Sequence, residues 1–132
     1  MARLLLLALW LAAAGPVTAQ TTHIIRLTQS GDGALFRFSP GRLTVRPGDQ
    51  VEFRAEQGAP FQISFASADL NSRARGLLAA ALSDGPGELR TPVLADSGSR
   101  YRWTVPALTA GTYRFFCLTH LSYRMAGLLL VQ

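Results

Sequence analysis

The chain has 132 residues, 48% of them hydrophobic, and a formal net charge of +5. This is the size of one domain with a single core. All 13 basic residues are arginine and they are scattered along the chain, whereas nucleic-acid binding requires a basic patch or stripe. Composition therefore argues against a nucleic-acid partner.

The N-terminal segment has the pattern of a secretory signal peptide. Arg3 gives a positive start, residues 4–14 are apolar, and Val17-Thr18-Ala19 offers the small residues of a cleavage site. The apolar run is short for a membrane span, which needs roughly 20 residues. We expect residues 1–19 to be removed, leaving residues 20–132 as a single domain that is periplasmic or otherwise exported, without stable membrane insertion. The alternative is an uncleaved anchor.

The remaining chain predicts an all-β fold. Short segments with alternating apolar and polar residues are separated by Gly, Pro and Asp, which is typical of a sandwich or barrel. Tyr113, near the start of a late segment, is expected to form a tyrosine corner. The predicted strands cover residues 24–27, 35–38, 43–45, 51–53, 61–65, 101–105, 112–116 and 127–131.

A helix is predicted in the long connection before the last strands. Ser72 is the expected N-cap, and Leu78 and Leu82 belong to an apolar set with helical spacing. Gly85-Pro86-Gly87 is expected to end this helix, which would cover one end of the sandwich.

Three metal-ligand residue types lie close together near the C-terminus. Cys117, His120 and Met125 have the spacing Cys-x2-His-x4-Met. A thiolate, an imidazole and a thioether form a soft ligand set that suits copper better than calcium or magnesium. Cys117 is also the single cysteine of the chain. In an exported protein it is therefore free, paired with another molecule or bound to a metal.

Residues 42–53, residues 58–63 and the Cys117–Met125 loop together resemble the plastocyanin-like cupredoxins. The resemblance implies a Greek-key β-sandwich of about seven or eight strands, one bound copper ion and electron transfer with a redox partner. It implies that Cys117 is the thiolate ligand, His120 the imidazole at the solvent edge and Met125 the weak axial thioether. We expect the domain to be a monomer.

One segment departs from the pattern of this family. Where the family has Gly-x-Pro-His-Asn, this chain has Gly58-Ala59-Pro60-Phe61-Gln62. Phe61 therefore stands at the position of the first histidine ligand, and Gln62 replaces the neighbouring asparagine. His23, the Gln62 amide and a water remain open as substitutes.

Three functions remain open at this level. The first is a copper electron carrier with a modified site, and the second is a Cu(I)-binding protein for copper handling. The third is a metal-free cupredoxin-like module with a binding or structural role. An enzyme is not expected, because there is no Ser-His-Asp order or paired-carboxylate motif, and Cys117 and His120 lack a third orienting group.

Arg124 directly precedes Met125 in the ligand loop. Positive charge beside the site predicts docking of a redox partner that carries an acidic surface.

Overall fold

The computed structural model describes residues 20–82 and 87–132. The predicted signal peptide, and residues 85 and 86 of the predicted helix end, lie outside the described residues. The described residues form strands β1 Thr22–Gln29, β2 Phe36–Ser39, β3 Arg42–Val45, β4 Gln50–Ala55, β5 Ile63–Phe65, β6 Arg100–Thr104, β7 Gly111–Cys117 and β8 Ala126–Val131, and helix α1 Ser72–Leu82.

The strands form two four-stranded sheets, with the orders β2-β1-β4-β6 and β3-β8-β7-β5. Each sheet contains one parallel pair, β1 with β4 and β3 with β8, and its other pairs are antiparallel. The predicted all-β sandwich is thus confirmed.

Strand alternation creates the core between the sheets. The inward ring of Phe115 on β7 meets Phe38 at a centroid distance of 4.9 Å, and Phe53 and Phe65 at 5.9 Å each, all edge to face. Each buried phenylalanine stabilises the fold by about 1.5–3 kcal/mol. The edge-to-face geometry adds about 0.5–1.5 kcal/mol per pair.

Helix α1 lies in the predicted place, but its N-cap differs from the prediction. The side-chain Oδ1 of Asn71 accepts a hydrogen bond from the backbone N–H of Ala74 at 2.8 Å, so Asn71 is the cap and Ser72 is the first helical residue. Leu78 and Leu82 are buried, as the helical spacing predicted. Within the described ranges, no helix has the length and hydropathy that a membrane span requires.

Two local predictions have different outcomes. The Tyr113 hydroxyl donates a hydrogen bond to the carbonyl of Thr109 at 2.6 Å, which confirms the predicted corner. The strand predicted over residues 61–65 begins only at Ile63. Phe61 instead forms an isolated bridge with Leu94, because its N–H and carbonyl both bond to that residue, at 2.9 and 2.7 Å.

Strand β7 connects the two ends of the sandwich. Gly111 begins the strand and pairs with Val131, whereas Cys117 ends it and pairs with Ile63. At about 3.3 Å per residue, the two ends of β7 lie about 20 Å apart. The loop from Cys117 to Met125 therefore lies at the end remote from the chain's C-terminus.

Candidate metal centre

Cys117 is fixed by the two strands that flank the loop. The alternation that points Phe115 inward also points Cys117 inward, and the side chain of Cys117 has no exposed surface. Its backbone N–H donates to the carbonyl of Met125 at 3.0 Å. This bond closes the loop and holds the first and last predicted ligands at its base.

His120 and Thr119 bring two more donor atoms to the thiol. The Nδ1 atom of His120 lies 3.4 Å from the Sγ atom of Cys117. The Thr119 hydroxyl lies 3.1 Å from that sulfur and 3.1 Å from the same nitrogen. It also lies 2.8 Å from the Pro60 carbonyl, to which it donates. Thr119 was not among the predicted site residues, and its only signal in the sequence is a hydroxyl residue between the cysteine and the histidine.

Backbone contacts join this loop to the segment before β5. The N–H of Leu118 donates to the Gln62 carbonyl at 2.8 Å, and the Gln62 side chain donates to the Thr91 carbonyl at 3.0 Å. The Thr91 hydroxyl in turn accepts from the N–H of Ile63 at 3.1 Å. The amide of Gln62 thus helps to position the segment that faces the loop.

His120 is largely covered, whereas the resemblance implied an imidazole at the solvent edge. Its residue exposure is 8%. Phe36 of β2 stacks on its ring with a centroid distance of 3.9 Å and an interplanar angle of 24°, and Tyr123 packs against Phe36 at 4.4 Å. Gly58, at a φ of +88°, makes room for this ring, since a Cβ there would lie 2.7 Å from Phe36. Phe36 was not identified from the sequence.

Burial also changes the acid–base behaviour of His120. Removal from water lowers the pKa of the imidazole, and a hydrogen bond with the backbone of Gly58 partly opposes this effect. The neutral imidazole, which is the form that binds metals, is therefore favoured.

Phe61 lies on another side of the same imidazole. Its side chain has no exposed surface, and its ring centroid is 5.0 Å from that of His120, with the planes tilted by 46°. The two phenylalanines, Phe36 and Phe61, therefore place apolar carbon around His120.

Met125 is 2% exposed and directly precedes β8. It lines a surface cavity of about 450 Å³ together with Leu121, Arg124 and residues of the outer sheet face. Met125, the third predicted ligand, therefore lies beside a surface cavity, whereas the ring of Phe36 covers His120.

His23 is remote from the loop. It lines a different cavity with Val45 and Gln132, at the opposite end of the sandwich. Its Nε2 atom lies 3.0 Å from the Oδ2 atom of Asp49, and this contact lowers the pKa of the Asp49 carboxyl. His23 therefore ties β1 to the turn before β4 and does not replace a ligand at Cys117.

The donor set fits copper better than a hard or carboxylate-bound ion. Across residues 20–82 and 87–132, no three His, Cys, Asp or Glu residues come together as a metal-binding group. The Cys117 and His120 donors are 3.4 Å apart. Bonds of about 2.3 Å to sulfur and 2.0–2.1 Å to nitrogen, at tetrahedral to trigonal angles, place two donors of one ion roughly 3.5–3.8 Å apart, close to this separation. A thiolate and an imidazole beside a thioether are ligands typical of copper.

Comparison with known proteins gives the same fold and family. Plastocyanin from the cyanobacterium Nostoc punctiforme is 30% identical over 118 residues, covering 89% of this chain and 78% of the relative. Plastocyanin from Ginkgo biloba is 29% identical over 108 residues, covering 82% of this chain and all of the relative. Oxidised plastocyanin from the fern Dryopteris crassirhizoma is 28% identical and superposes with a TM-score of 0.65, covering 83% of this chain and all of the fern protein.

A solved structure with lower sequence identity shares the fold. The reduced form of an amicyanin mutant superposes with a TM-score of 0.58 at 21% identity, covering 86% of this chain and 85% of amicyanin. The family profile described as "Copper binding proteins, plastocyanin/azurin family" matches residues 25–132. The chain is a plastocyanin-like cupredoxin and belongs to the plastocyanin/azurin family of copper-binding proteins.

Proposed function

We propose that this protein is an exported electron carrier that binds one copper ion through Cys117, His120 and Met125, in a site that lacks the first histidine ligand of its family. The observation that carries the proposal is the 3.4 Å approach of the Cys117 thiol to the His120 imidazole at the end of two paired strands. Family membership supports copper as the metal.

The proposal also covers the processing, location and partner of the protein. Residues 1–19 act as a signal peptide, and residues 20–132 form one monomeric domain in the periplasm or an equivalent exported location. The protein acts with a redox partner and not as an enzyme.

The chain's own contacts explain how such a site would work. Copper, when bound, supplies the ability to accept and release a single electron. The hydrogen bond from Cys117 to Met125, and that from Thr119 to Pro60, hold the donors in place independently of the metal. Small movement of the donors between oxidation states favours rapid electron transfer.

Phe61 determines the character of the site. It occupies the place that the family gives to a second equatorial imidazole, and it excludes water there, since it has no exposed surface. One imidazole with two sulfur ligands favours Cu(I) over Cu(II), because soft ligands prefer the softer ion. This observation also favours a second candidate, a Cu(I)-binding protein for copper handling.

A metal titration of the purified protein tests the proposal. We expect Cu(II) to produce an intense visible thiolate–copper band, and Cu(I) to bind one to one in competition with a Cu(I) chelator. C117A should abolish both signals. H120Q should weaken both, whereas the matched control H23Q should leave them unchanged, because His23 lies at the other end of the sandwich.

The outcomes separate the candidates. Tight Cu(I) binding without any visible Cu(II) band would reject the carrier and leave copper handling. Equal binding by C117A and the parent protein, or a melting temperature that does not change with either ion, would reject copper binding altogether, since a ligand of the native state must stabilise it. The metal-free module would then remain.

A further inference from the structure

The two sheets differ in how many of their arginines are paired with acids. In the sheet β2-β1-β4-β6, three arginines form such pairs. Glu52 lies 2.6 Å from Arg54 and 3.2 Å from Arg102, and Arg26 contacts Glu56 at 2.5 Å. Three of the five arginines on these strands are therefore paired, whereas Arg37 and Arg100 are exposed and have no ion pair within the described residues.

In the sheet that carries Cys117, no strand arginine is paired with an acid of the described residues. Its strands β3, β8, β7 and β5 contain two arginines and no acidic residue. Arg42 and Arg114 both lie opposite Leu128 in the register, so they flank an apolar side chain on the outer face. Both arginines are exposed, and within the described residues neither has an ion pair.

Arg124 extends this charge to the metal loop. It is exposed and likewise forms no ion pair within residues 20–82 and 87–132. We call the surface formed by Arg42, Arg114, Phe116, Arg124 and Leu128 the basic face. Its two non-arginine members are half-buried and apolar.

The basic face contains a cavity that fits a particular kind of side chain. The cavity of about 450 Å³ is lined by Arg114 and Arg124, and by apolar residues that include Phe116, Leu121 and Met125. Two guanidinium groups recognise carboxylates by charge-assisted hydrogen bonds, and the apolar lining accepts an aliphatic neighbour. The cavity therefore suits an acidic side chain beside a hydrophobic one.

The backbone of Arg124 is consistent with a recognition role. Among the described residues, it is the one non-glycine residue with a positive φ, at 55°. This left-handed conformation costs an arginine about 1–2 kcal/mol relative to glycine. Backbone strain of this kind clusters at functional sites, which is consistent with use of the Arg124 side chain here.

We propose that the basic face is a docking surface for a protein partner whose interface carries Asp or Glu beside a hydrophobic residue. The occupant is a protein partner because the face combines unpaired arginines with an apolar cavity, which an acidic side chain beside a hydrophobic one would complement. The proposal rests on the electron-transfer function for its purpose, since it names the partner of that site. It places the partner at the Met125 side of the loop, whereas Phe36 covers His120.

A titration with a defined probe tests this docking surface. The purified, reduced protein, labelled with ¹⁵N, is titrated with a short synthetic peptide in which glutamates surround one leucine. The control peptide carries lysines in place of the glutamates. We expect chemical-shift changes confined to the basic face, and an affinity that falls with salt as the Debye length shortens from about 10 Å at 0.1 M.

Matched double variants identify the arginines responsible. R114Q/R124Q should weaken binding of the acidic peptide about tenfold, as two exposed charge pairs of about 0.7 kcal/mol each would predict. R37Q/R100Q removes the same charge from exposed positions on the other sheet, and should change the affinity less than about twofold.

Several results would overturn the proposal. These are shifts spread over both sheets, equal loss of affinity in the two double variants, or equal binding of the lysine peptide. Binding of a DNA oligonucleotide or of anionic lipid vesicles as tightly as the acidic peptide would also overturn it, since the face would then be a general polyanion site.

Copper spectra of the same variants keep the two proposals separable. Docking without a copper signal rejects only the electron-transfer function. A normal copper signal with no docking rejects only the basic face as the partner surface.

Discussion

Replacement of Phe61 by histidine is the sharpest perturbation of the metal centre. Both backbone groups of Phe61 are bonded to Leu94, so F61H changes the side chain while the backbone stays anchored. The ring lies 5.0 Å from that of His120. A histidine there would add the imidazole that the family's pattern places beside the thiolate, and would restore a two-imidazole site.

The unfolding free energy that metal-free F61H loses and the free energy that copper binding restores can be estimated separately. A fully buried phenylalanine contributes about 1.5–3 kcal/mol, and a buried imidazole without a partner costs about 1–3 kcal/mol. Since the imidazole keeps part of the apolar contact, we expect metal-free F61H to lose about 2–4 kcal/mol of unfolding free energy. Copper at a hundredfold excess over its Kd would restore about 2.7 kcal/mol.

Thermal unfolding with and without copper measures both quantities. At about 4 °C per kcal/mol, metal-free F61H should melt about 10 °C below the parent, and copper should recover about 10 °C. F61L, which keeps an apolar side chain, is the matched control and should show no gain in copper response. The added imidazole should also intensify the visible Cu(II) band. A copper-induced rise in F61H no larger than that in F61L would refute the assignment of Phe61 to the ligand position.

Three further predictions concern the surrounding fold. G127A should lower the unfolding free energy by about 1–3 kcal/mol, measured by urea denaturation, because a Cβ would overlap the buried ring of Phe115. R124G should raise it by about 0.5–1 kcal/mol, because relief of about 1–2 kcal/mol of left-handed strain is partly offset by the greater backbone entropy that glycine loses on folding. It should also weaken acidic-peptide binding, and unchanged stability would contradict the strain. The hydrogen bond from Arg54, with help from a second arginine, lowers the folded pKa of Glu52. The ionised Glu52 carboxylate therefore stabilises the fold fully at a pH above its unfolded-state pKa, and this stabilisation is lost as the pH falls through its folded-state pKa. E52Q should therefore make the free energy of unfolding, measured by urea denaturation, depend less on pH in the acid range.

The sandwich was predictable because a strand's alternation decides which residues face inward. Val51 and Phe53 alternate with charged residues, and the structure buries both; Glu52 between them is also buried, because it is paired with Arg54 and Arg102. The short strand β5 was less predictable, since Phe61 continues the apolar alternation but pairs with Leu94 instead of β7. The alternation of apolar and polar residues indicates which side chains face the core. Which strand pairs with which depends on contacts between residues that are distant in the sequence.

The candidate site likewise contains residues that the sequence predicted and residues that it did not. Cys117 and His120 are three positions apart, and their spacing alone brought them together in the prediction. Phe36 could not be anticipated, because its stacking on His120 depends on how β2 meets the loop from β7. The role of Thr119 likewise depends on the Pro60 carbonyl across the site.

Burial of the donors helps to choose between electron transfer and copper delivery. The thiol of Cys117 is fully buried, and Met125 and His120 are 2% and 8% exposed. Delivery requires another protein's ligands to reach the metal, and the fully buried thiol of Cys117 gives them no exposed sulfur to approach. An electron does not need an exposed donor atom, because it can pass to a redox partner that is bound beside Met125. The enclosure of the donors therefore favours a carrier that keeps its metal over a protein that passes it on.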